Sequence, residues 1–244
     1  FVQVQHLFFI FGIAGVFRLL FCGLFGLWGC EKTTEGLTKV TYYVNFELNG
    51  DNPMLVPVGS TFSDPGVVAM EGEEDVTASV TVNSDVKADQ IGLYSVSYSA
   101  TNADGFSSSV KRTVVVYDPE VTTDASGDYT VDSSVSYRNM NGQQAPFKGD
   151  FSVSVTLVAP GIFAVSDFLG GWYDQGAAYG AAYAMKGYFK LNADNTIEPL
   201  SSLLAGWGDS MDSMKEGKYD PETGQISWYI DYAGTMTFYV IMNK

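Results

Sequence analysis

The sequence predicts an all-β fold, and three features of the chain after Tyr42 carry that prediction. Apolar and polar residues alternate over many short segments, and Gly, Asn, Asp and Pro separate these segments from one another. No stretch keeps the apolar period of a helix for three turns. Alternation of this kind gives each strand one face in a core and one in water. The expected architecture is a β-sandwich followed by an antiparallel meander that closes into a barrel or a curved sandwich.

A hairpin is expected near the end of the first domain. In Leu93–Ala100, larger residues alternate with serines, which predicts a strand with one packed face. Thr101–Gly105 follows as a turn, because its Asp-Gly pair tolerates the positive φ of a tight hairpin. The returning strand covers Phe106–Tyr117, and its packed face is expected to hold Val110, Val114 and Val116.

The domain boundary is predicted just after this hairpin. The strand pairing is expected to end at Asp118-Pro119-Glu120, because proline has no N–H to donate. The small polar residues that follow, up to Gly127, have little apolar surface to bury. The expected organisation, in chain order, is a signal peptide over 1–29, a tether over 30–40, a first domain over 41–118, a linker over 119–127 and a C-terminal antiparallel β-domain over 128–244.

Four strands of the C-terminal domain are predicted from alternation, and two turns from their residue types. Asn192–Asn195 is one turn, and Asp220–Gly224 is the other, where Pro221 presets φ and Gly224 takes the left-handed conformation. The residues expected to face the core, strand by strand, are Phe151, Val153, Val155 and Leu157; Tyr183, Met185, Phe189 and Leu191; Ile226, Trp228 and Ile230; and Met236, Phe238, Val240 and Met242.

Four segments of the first domain carry a resemblance to a known repeat. They are Gly59–Ala69, Asp75–Thr77, Gly92–Thr101 and Arg112–Val116 with the preceding Gly105, and together they resemble the immunoglobulin-like (Ig-like) repeat of bacterial surface proteins, related to the hyalin-repeat type. The resemblance implies a sandwich without the antibody disulfide, in agreement with the cysteine content. Such domains serve as spacers or as platforms beside a binding module, so the resemblance informs fold more than function.

The C-terminal domain resembles a second family. Asp167–Tyr173, Tyr179-Gly180, Trp207–Ser210 and Gly217–Ile226 are similar to the C-terminal domain of a family of Bacteroidetes lipoproteins that pairs this domain with the Ig-like module. The resemblance implies an association with glycan-acquisition systems at the outer membrane. It favours carbohydrate binding, but it brings neither an established activity nor a site.

The leader ends in a candidate lipidation site. Leu27-Trp28-Gly29-Cys30 looks like a lipobox, and a polar segment begins at Glu31. Cleavage before Cys30 would leave that residue as an acylated N-terminus that anchors the protein to the outer membrane, facing the periplasm or the cell surface. The alternative is a retained membrane-spanning helix over 7–28, in which the charge of Arg18 would be costly.

Composition excludes several kinds of chemistry from the chain after Cys30. His6 is the single histidine, and Cys22 and Cys30 are the two cysteines, so the mature chain lacks Ser-His-Asp and Cys-His catalysis, thiolate or imidazole zinc sites and an internal disulfide. We expect no metal and no cofactor. All 28 acidic residues and 12 of the 13 basic ones follow Cys30, which gives a net charge near −16. Such a surface repels nucleic acid, which is therefore not an expected partner.

Two glycine-rich aromatic segments form the candidate binding site. A sugar stacks its CH face on an aromatic ring, and its hydroxyl groups need polar partners close by. The residues predicted to bind a glycan are Trp172, Tyr173, Asp174, Gln175, Trp207 and Asp209. The alternative is that these rings plug the ends of the sheet. Outward-facing Tyr188, Tyr229 and Tyr239 form a second possible platform, or ordinary cross-strand pairs.

The leading functional hypothesis is a non-enzymatic outer-membrane or cell-surface lipoprotein that binds an extracellular glycan as an accessory to polysaccharide acquisition. The first alternative is a structural or adhesive protein whose partner is another envelope protein. A carboxylate-based glycoside hydrolase is the third, and it requires two carboxyl groups facing each other in a cleft. The acidic residues of 71–75 and 209–212 are mostly expected to be solvated turn residues.

Overall fold

The all-β prediction is confirmed in the computed structural model, which describes residues 40–244. This range contains seventeen strands and three helical turns of three to five residues. The predicted signal peptide and the lipidation site at Cys30 lie outside it. Between residues 40 and 244, no helix has the length and apolar character needed to cross a membrane.

The first domain is a sandwich of two small sheets. Its strands are β1 (Val44–Leu48), β2 (Met54–Pro57), β3 (Val67–Glu71), β4 (Glu74–Asp75), β5 (Thr81–Ser84), β6 (Gly92–Thr101) and β7 (Ser107–Tyr117). One sheet has the order β1-β3-β4, and the other has the order β2-β7-β6-β5. The pair β2–β7 is parallel, whereas the long hairpin β6–β7 is antiparallel and in register from Gly92 with Val116 to Thr101 with Ser107.

The predicted hairpin turn has the expected geometry. Gly105 has φ 87°, and its N–H donates to the carbonyl oxygen of Asn102 over 3.0 Å. Valines of β7 fill the sandwich core as expected, since Val114 and Val116 are fully buried and Val110 packs against them. Val115, on the opposite face of the strand, is buried as well, because it packs against Ala159 and Ile162 of the C-terminal domain. The alternation along β7 is therefore overridden by the neighbouring domain.

A fully buried arginine ties the strands of the sandwich to its loops. Arg112 lies on β7, and its Nε is 3.4 Å from the Asp64 carboxylate, which also accepts a 2.6 Å hydrogen bond from the Tyr98 hydroxyl. The guanidinium also donates to three backbone carbonyl oxygens, those of Asn49 (2.6 Å), Asp51 (2.5 Å) and Gly66 (3.0 Å). A buried charge is tolerated when it is paired and its donors are satisfied, as they are here.

The C-terminal domain contains ten strands in one sheet. They are β8 (Gly127–Val131), β9 (Tyr137–Met140), β10 (Gln143–Pro146), β11 (Ser152–Ala159), β12 (Ile162–Val165), β13 (Met185–Leu191), β14 (Ile197–Leu204), β15 (Ser213–Asp220), β16 (Gln225–Tyr232) and β17 (Met236–Asn243).

The sheet curls into a half-barrel. Strands β15-β16-β17-β8-β11-β12-β13-β14 are neighbours in that order, and the hairpin β9–β10 adds to β17. The two ends of the series approach each other, because a bridge joins Thr196 to Lys218 and the Tyr219 N–H donates to the Asn195 carbonyl oxygen over 2.9 Å. All pairs in this sheet are antiparallel, which agrees with the predicted meander.

The inner face of the half-barrel holds the largest core of the protein. Trp228 is fully buried at its centre, and its indole N–H donates to the Phe168 carbonyl oxygen over 2.9 Å. The predicted turns at 192–195 and 220–224 are present, with Asn195 at φ 65° and Gly224 at φ 71°. Most residues expected to face the core do so, and the fully buried ones are Val153, Met185, Phe189, Leu191, Ile226, Trp228, Ile230, Phe238, Val240 and Met242.

Two expectations about burial are wrong. Leu157 is 46% exposed, because the register of β11 with β12 shifts between Leu157 and Ala159 and Ala159 takes the buried place. The segment between the domains was expected to bury little, yet Ala125 is fully buried and its carbonyl oxygen accepts a 2.6 Å hydrogen bond from the Tyr129 hydroxyl. Residues Thr41–Lys244 accordingly form one compact unit.

The buried arginine predicts a large effect on stability. Arg112→Met leaves the Asp64 carboxylate without its cation and removes a donor from three carbonyl oxygens. We expect the free energy of unfolding to fall by about 3–5 kcal/mol, measured by urea denaturation. The control is Lys111→Met, an exposed neighbour on the other face of β7, for which a change within about 0.5 kcal/mol is expected. Equal effects of the two variants would contradict the role given to Arg112.

Candidate functional site

Three loops of the half-barrel meet at one place. They are the β14–β15 loop (205–212), the β16–β17 turn (233–235) and the β9–β10 turn (141–142). The Gly234 N–H donates to the Asp212 carboxylate over 2.7 Å, and the Asn141 N–H donates to the Thr235 carbonyl oxygen over 3.4 Å. The loops therefore hold one another in place through their own polar groups.

A cluster of aromatic rings, here called the aromatic platform, stands beside these loops. It consists of Tyr179, Tyr183 and Trp207, packed on the ring of Tyr173. Trp207 lies 4.9 Å from both Tyr173 and Tyr183, centroid to centroid, and 6.2 Å from Tyr179. Tyr173 is only 8% exposed, whereas Trp207 is 44% and Tyr179 is 55% exposed. A buried ring thus supports exposed ones, which is an arrangement suited to stacking against a ligand.

The platform requires a glycine at position 206. The Gly206 N–H donates to the Ala182 carbonyl oxygen over 2.7 Å, which joins the 205–212 loop to the 3₁₀ turn Ala181–Tyr183. A Cβ at this position would lie 2.7 Å from the Tyr183 ring. Only glycine lets the ring lie this close to the backbone.

Tyr173 is placed by a single-turn π-helix, Trp172–Gly176, that begins after Gly171 at φ 82°. The turn is fixed by Asp167, which is 1% exposed. One carboxylate oxygen accepts from the N–H groups of Leu169 (2.8 Å) and Met185 (2.9 Å), and the other accepts from Gly171 (2.9 Å). Burial raises the pKa of Asp167 to about 7, against the opposing effect of the three N–H donors.

The structure divides the six predicted glycan-binding residues into two groups. Tyr173, Trp207 and Asp209 lie together, since Tyr173 contacts both Trp207 and Tyr232 and the Tyr232 hydroxyl donates to Asp209 over 2.9 Å. In the other group, the half-buried Asp174 accepts a 2.8 Å hydrogen bond from the N–H of its exposed neighbour Gln175.

Trp172 and Gln175 have structural contacts of their own. The half-buried Trp172 ring packs 5.0 Å from Phe147 and 5.8 Å from Phe238, and the Arg138 Cζ lies 4.8 Å from its centroid. The Gln175 amide exchanges two hydrogen bonds with the backbone of Ser152. The contacts of Trp172 agree with the sheet-end plug that was the alternative to a binding role, whereas the Trp207 ring is 44% exposed.

A polar groove continues from the platform along the loops. Gly208, Asp209 and Ser210, which follow Trp207 directly, line its near end together with Tyr232. Its far end has a volume of about 580 Å³, and Asp212 lines both parts. The side chains that line the far end are mostly amides, hydroxyls and carboxylates, namely those of Asn139, Asn141, Asp212, Ser213, Asp231, Thr235, Met236 and Thr237.

Charge in the groove is only partly compensated. The Lys215 ammonium lies 2.5 Å from the Asp231 carboxylate and, with hydrogen bonds from Thr237 and Ser213, holds the pKa of Asp231 below its usual range. Burial and the hydrogen bond to Asp209 raise the pKa of the Tyr232 hydroxyl. Across residues 40–244, no group of three or more histidine, cysteine or acidic side chains is arranged to hold a metal ion.

Several site residues were missed in the sequence. Tyr179 was part of the family resemblance only and Tyr183 was expected to face the core from a strand, and nothing in their spacing indicated contact with Trp207. Asn141-Gly142 is a turn signal that could have marked the far end of the groove. Ala233 adopts φ 52° beside the groove and Ala178 adopts φ 56° beside the platform, and strained backbone of this kind is common near functional sites.

The geometry of the second possible platform favours the alternative of ordinary cross-strand pairs. Tyr229 and Tyr239 are direct cross-strand partners whose rings stack at 4.3 Å and 18°, and Tyr137 of β9 adds to Tyr239 at 5.5 Å. The stacked rings cover each other's faces, so they stabilise the sheet. Tyr188 is apart from them on β13, paired with Ala164 and Ser201.

Comparisons with known proteins agree with both resemblances. The model of a family defined by its C-terminal domain matches residues 118–244, and the model described as bacterial surface protein, Ig-like domain, matches residues 46–116. Among solved structures, the lipoprotein BT2262 from Bacteroides thetaiotaomicron is 43% identical, over 83% of this chain and 100% of that chain, with a TM-score of 0.47.

A second solved structure is much less similar. It contains CBM51-2, in complex with GlcNAc, and INT domains of ZmpB from Clostridium perfringens, and it is 19% identical over 50% of this chain and 28% of that chain, with a TM-score of 0.27. A likeness this low carries no argument about ligand or fold. No curated protein matches the chain.

The two tryptophans are expected to differ in their effect on stability. Trp172→Ala removes a ring packed against Phe147 and Phe238 and should lower the free energy of unfolding by about 3 kcal/mol. Trp207→Ala removes an exposed ring and should cost less than about 1 kcal/mol. Chemical denaturation of both variants measures the difference. A larger loss for Trp207 would mean that the platform is a structural plug.

The buried carboxyl of Asp167 is expected to make stability depend on pH. In Asp167→Asn, the amide N–H₂ group replaces one acceptor and faces an N–H donor, so the free energy of unfolding should fall by about 1–3 kcal/mol. Because burial raises the folded-state pKa, the stabilising effect of the native carboxyl should be largest below about pH 4 and decline towards pH 7. Urea denaturation across this range measures it, with Asp51→Asn, at an exposed position of the first domain, as the control. A difference between wild type and Asp167→Asn that widens with rising pH would mean that the three N–H donors outweigh burial.

Proposed function

The chain belongs to the bacterial surface lipoprotein family that includes BT2262, and from this premise we propose that it is a non-enzymatic outer-membrane lipoprotein that binds an extracellular glycan. The observation that carries the proposal is the position of Trp207. Its exposed ring stands on buried Tyr173, and the next three residues of the chain open the polar groove.

The two parts of the site suit the two faces of a sugar. The CH face of a pyranose ring is apolar and stacks on an aromatic ring, for which Trp207 and Tyr179 are available. Its hydroxyl groups need acceptors and donors, which the carboxylates, amides and hydroxyls of the groove supply. The far end of the groove, with a volume of about 580 Å³, lies within the range of ordinary ligand sites.

The order of the chain suits a tethered binding protein. Acylation of Cys30 would leave about ten residues before the first domain, which can extend at most about 35 Å. In chain order, the Ig-like domain then precedes the half-barrel that carries the platform. The proposed glycan would be met outside the membrane and passed to, or held near, a system for polysaccharide uptake.

The carboxyl groups support binding over hydrolysis. A glycosidase needs a carboxyl that stays protonated to act as general acid. Asp231 in the groove has a lowered pKa because Lys215 pairs with it. Asp167, whose pKa is raised, is fully buried among backbone donors and faces no groove.

A protein partner is the second candidate, and one patch on the first domain favours it. Tyr42, Tyr43 and Phe106 are 56%, 59% and 49% exposed, and the rings of Tyr43 and Phe106 lie 5.5 Å apart. Exposed aromatic groups of this kind are typical of protein interfaces.

Calorimetry of the full chain in detergent against a panel of polysaccharides distinguishes the two candidates. The expected result is binding that Trp207→Ala weakens at least tenfold, or about 1.4 kcal/mol, and that Tyr179→Ala weakens less. Phe106→Ala is the matched control, because it removes a similarly exposed ring from the first domain and should leave glycan binding unchanged. Absence of binding to every glycan, together with a protein contact that Phe106→Ala abolishes, would favour the adhesive alternative.

A further inference from the structure

We infer that the platform and groove select uncharged glycans and reject those that carry uronate or sulfate groups. This inference rests on the proposed function, because it concerns the ligand class of the same site. It follows from the sign and the pairing of the charges that line the groove next to Trp207.

Two carboxylates in the groove have no compensating cation. Asp231 is paired with Lys215, but the partners of Asp209 and Asp212 are neutral, namely the Tyr232 hydroxyl and the Gly234 N–H. The part of the chain that the structure describes contributes no lysine or arginine to the lining of either end of the groove. The binding surface is therefore negative at the point where it continues from the platform.

Each of these carboxylates still has an oxygen available to a ligand. The bonds from Tyr232 and Gly234 use Oδ2 of Asp209 and Asp212, and neither Oδ1 has a hydrogen-bond partner within residues 40–244. Both side chains are exposed. A carboxylate accepts hydrogen bonds only, so it suits sugar hydroxyl groups, which donate. A uronate or sulfate group at the same place has no proton to donate and adds like-charge repulsion.

The whole protein has a net charge of −15 and therefore also repels anionic glycans. The effect of the groove carboxylates must be measured separately from this general repulsion. The chain offers a matched pair of double variants for this purpose. Asp209→Asn with Asp212→Asn removes two charges from the groove and keeps an acceptor oxygen at each position. Glu73→Gln with Glu74→Gln removes the same charge from exposed positions in the first domain, where no groove residue lies.

The experiment measures binding of the full chain in detergent to glycans that share a backbone and differ in charge. Methyl-esterified and de-esterified homogalacturonan form one pair, and dextran and dextran sulfate form another, within an array that holds further neutral and anionic glycans. At low salt, the wild type should bind a neutral glycan at least tenfold more tightly than its anionic counterpart. The difference should shrink as salt is added, because salt screens repulsion between exposed charges. The groove variant, Asp209→Asn with Asp212→Asn, should reduce the ratio of neutral to anionic affinity at least threefold. The first-domain variant, Glu73→Gln with Glu74→Gln, should leave that ratio unchanged.

The outcomes separate this inference from the proposed function. Equal or tighter binding of the anionic member, still abolished by Trp207→Ala, would overturn the charge selectivity and leave glycan binding in place. A neutral-to-anionic ratio that the groove variant does not lower, or that both double variants lower equally, would also overturn it. Failure of the wild type to bind any glycan on the array would overturn the proposed function and this inference together.

Discussion

The buried carboxylate of Asp167 is the interaction on which the site depends. It gathers three backbone N–H groups from two segments, and so it fixes the turn that leads into Trp172–Gly176 against the start of β13. The Phe168 carbonyl oxygen, one residue further on, receives the indole N–H of Trp228 from β16. Backbone groups of a segment without strand structure are thereby satisfied in the core.

This turn sends neighbouring aromatic residues in different directions. Trp172 packs between Phe147 and Phe238 and closes the core, whereas Tyr173 continues the packing outward to Trp207 and Tyr179. The exposed rings therefore rest on a rigid interior, so less conformational entropy is lost when a ligand stacks on them. Trp172 and the aromatic platform are parts of one continuous aromatic cluster.

The two domains use a buried ionisable side chain for a similar purpose. Arg112 in the sandwich and Asp167 in the half-barrel each bond to three backbone groups that lie in loops or at the end of a strand. Neither domain has a cysteine available for a cross-link. These hydrogen bonds fix segments of the kind that a disulfide fixes in many small secreted domains.

The sequence by itself determined the fold class, the hairpin at Gly105, the turns at 192–195 and 220–224 and most core residues, because strand alternation and turn chemistry are local. It also marked Trp207 and Asp209. Tertiary structure alone decided the burial of Val115, the exposure of Leu157, the separation of Trp172 from Trp207, and the meeting of Tyr179 and Tyr183 with the 205–212 loop. These features depend on which distant segments come into contact. The curl of the sheet determines those contacts, and the residue pattern of a single strand does not.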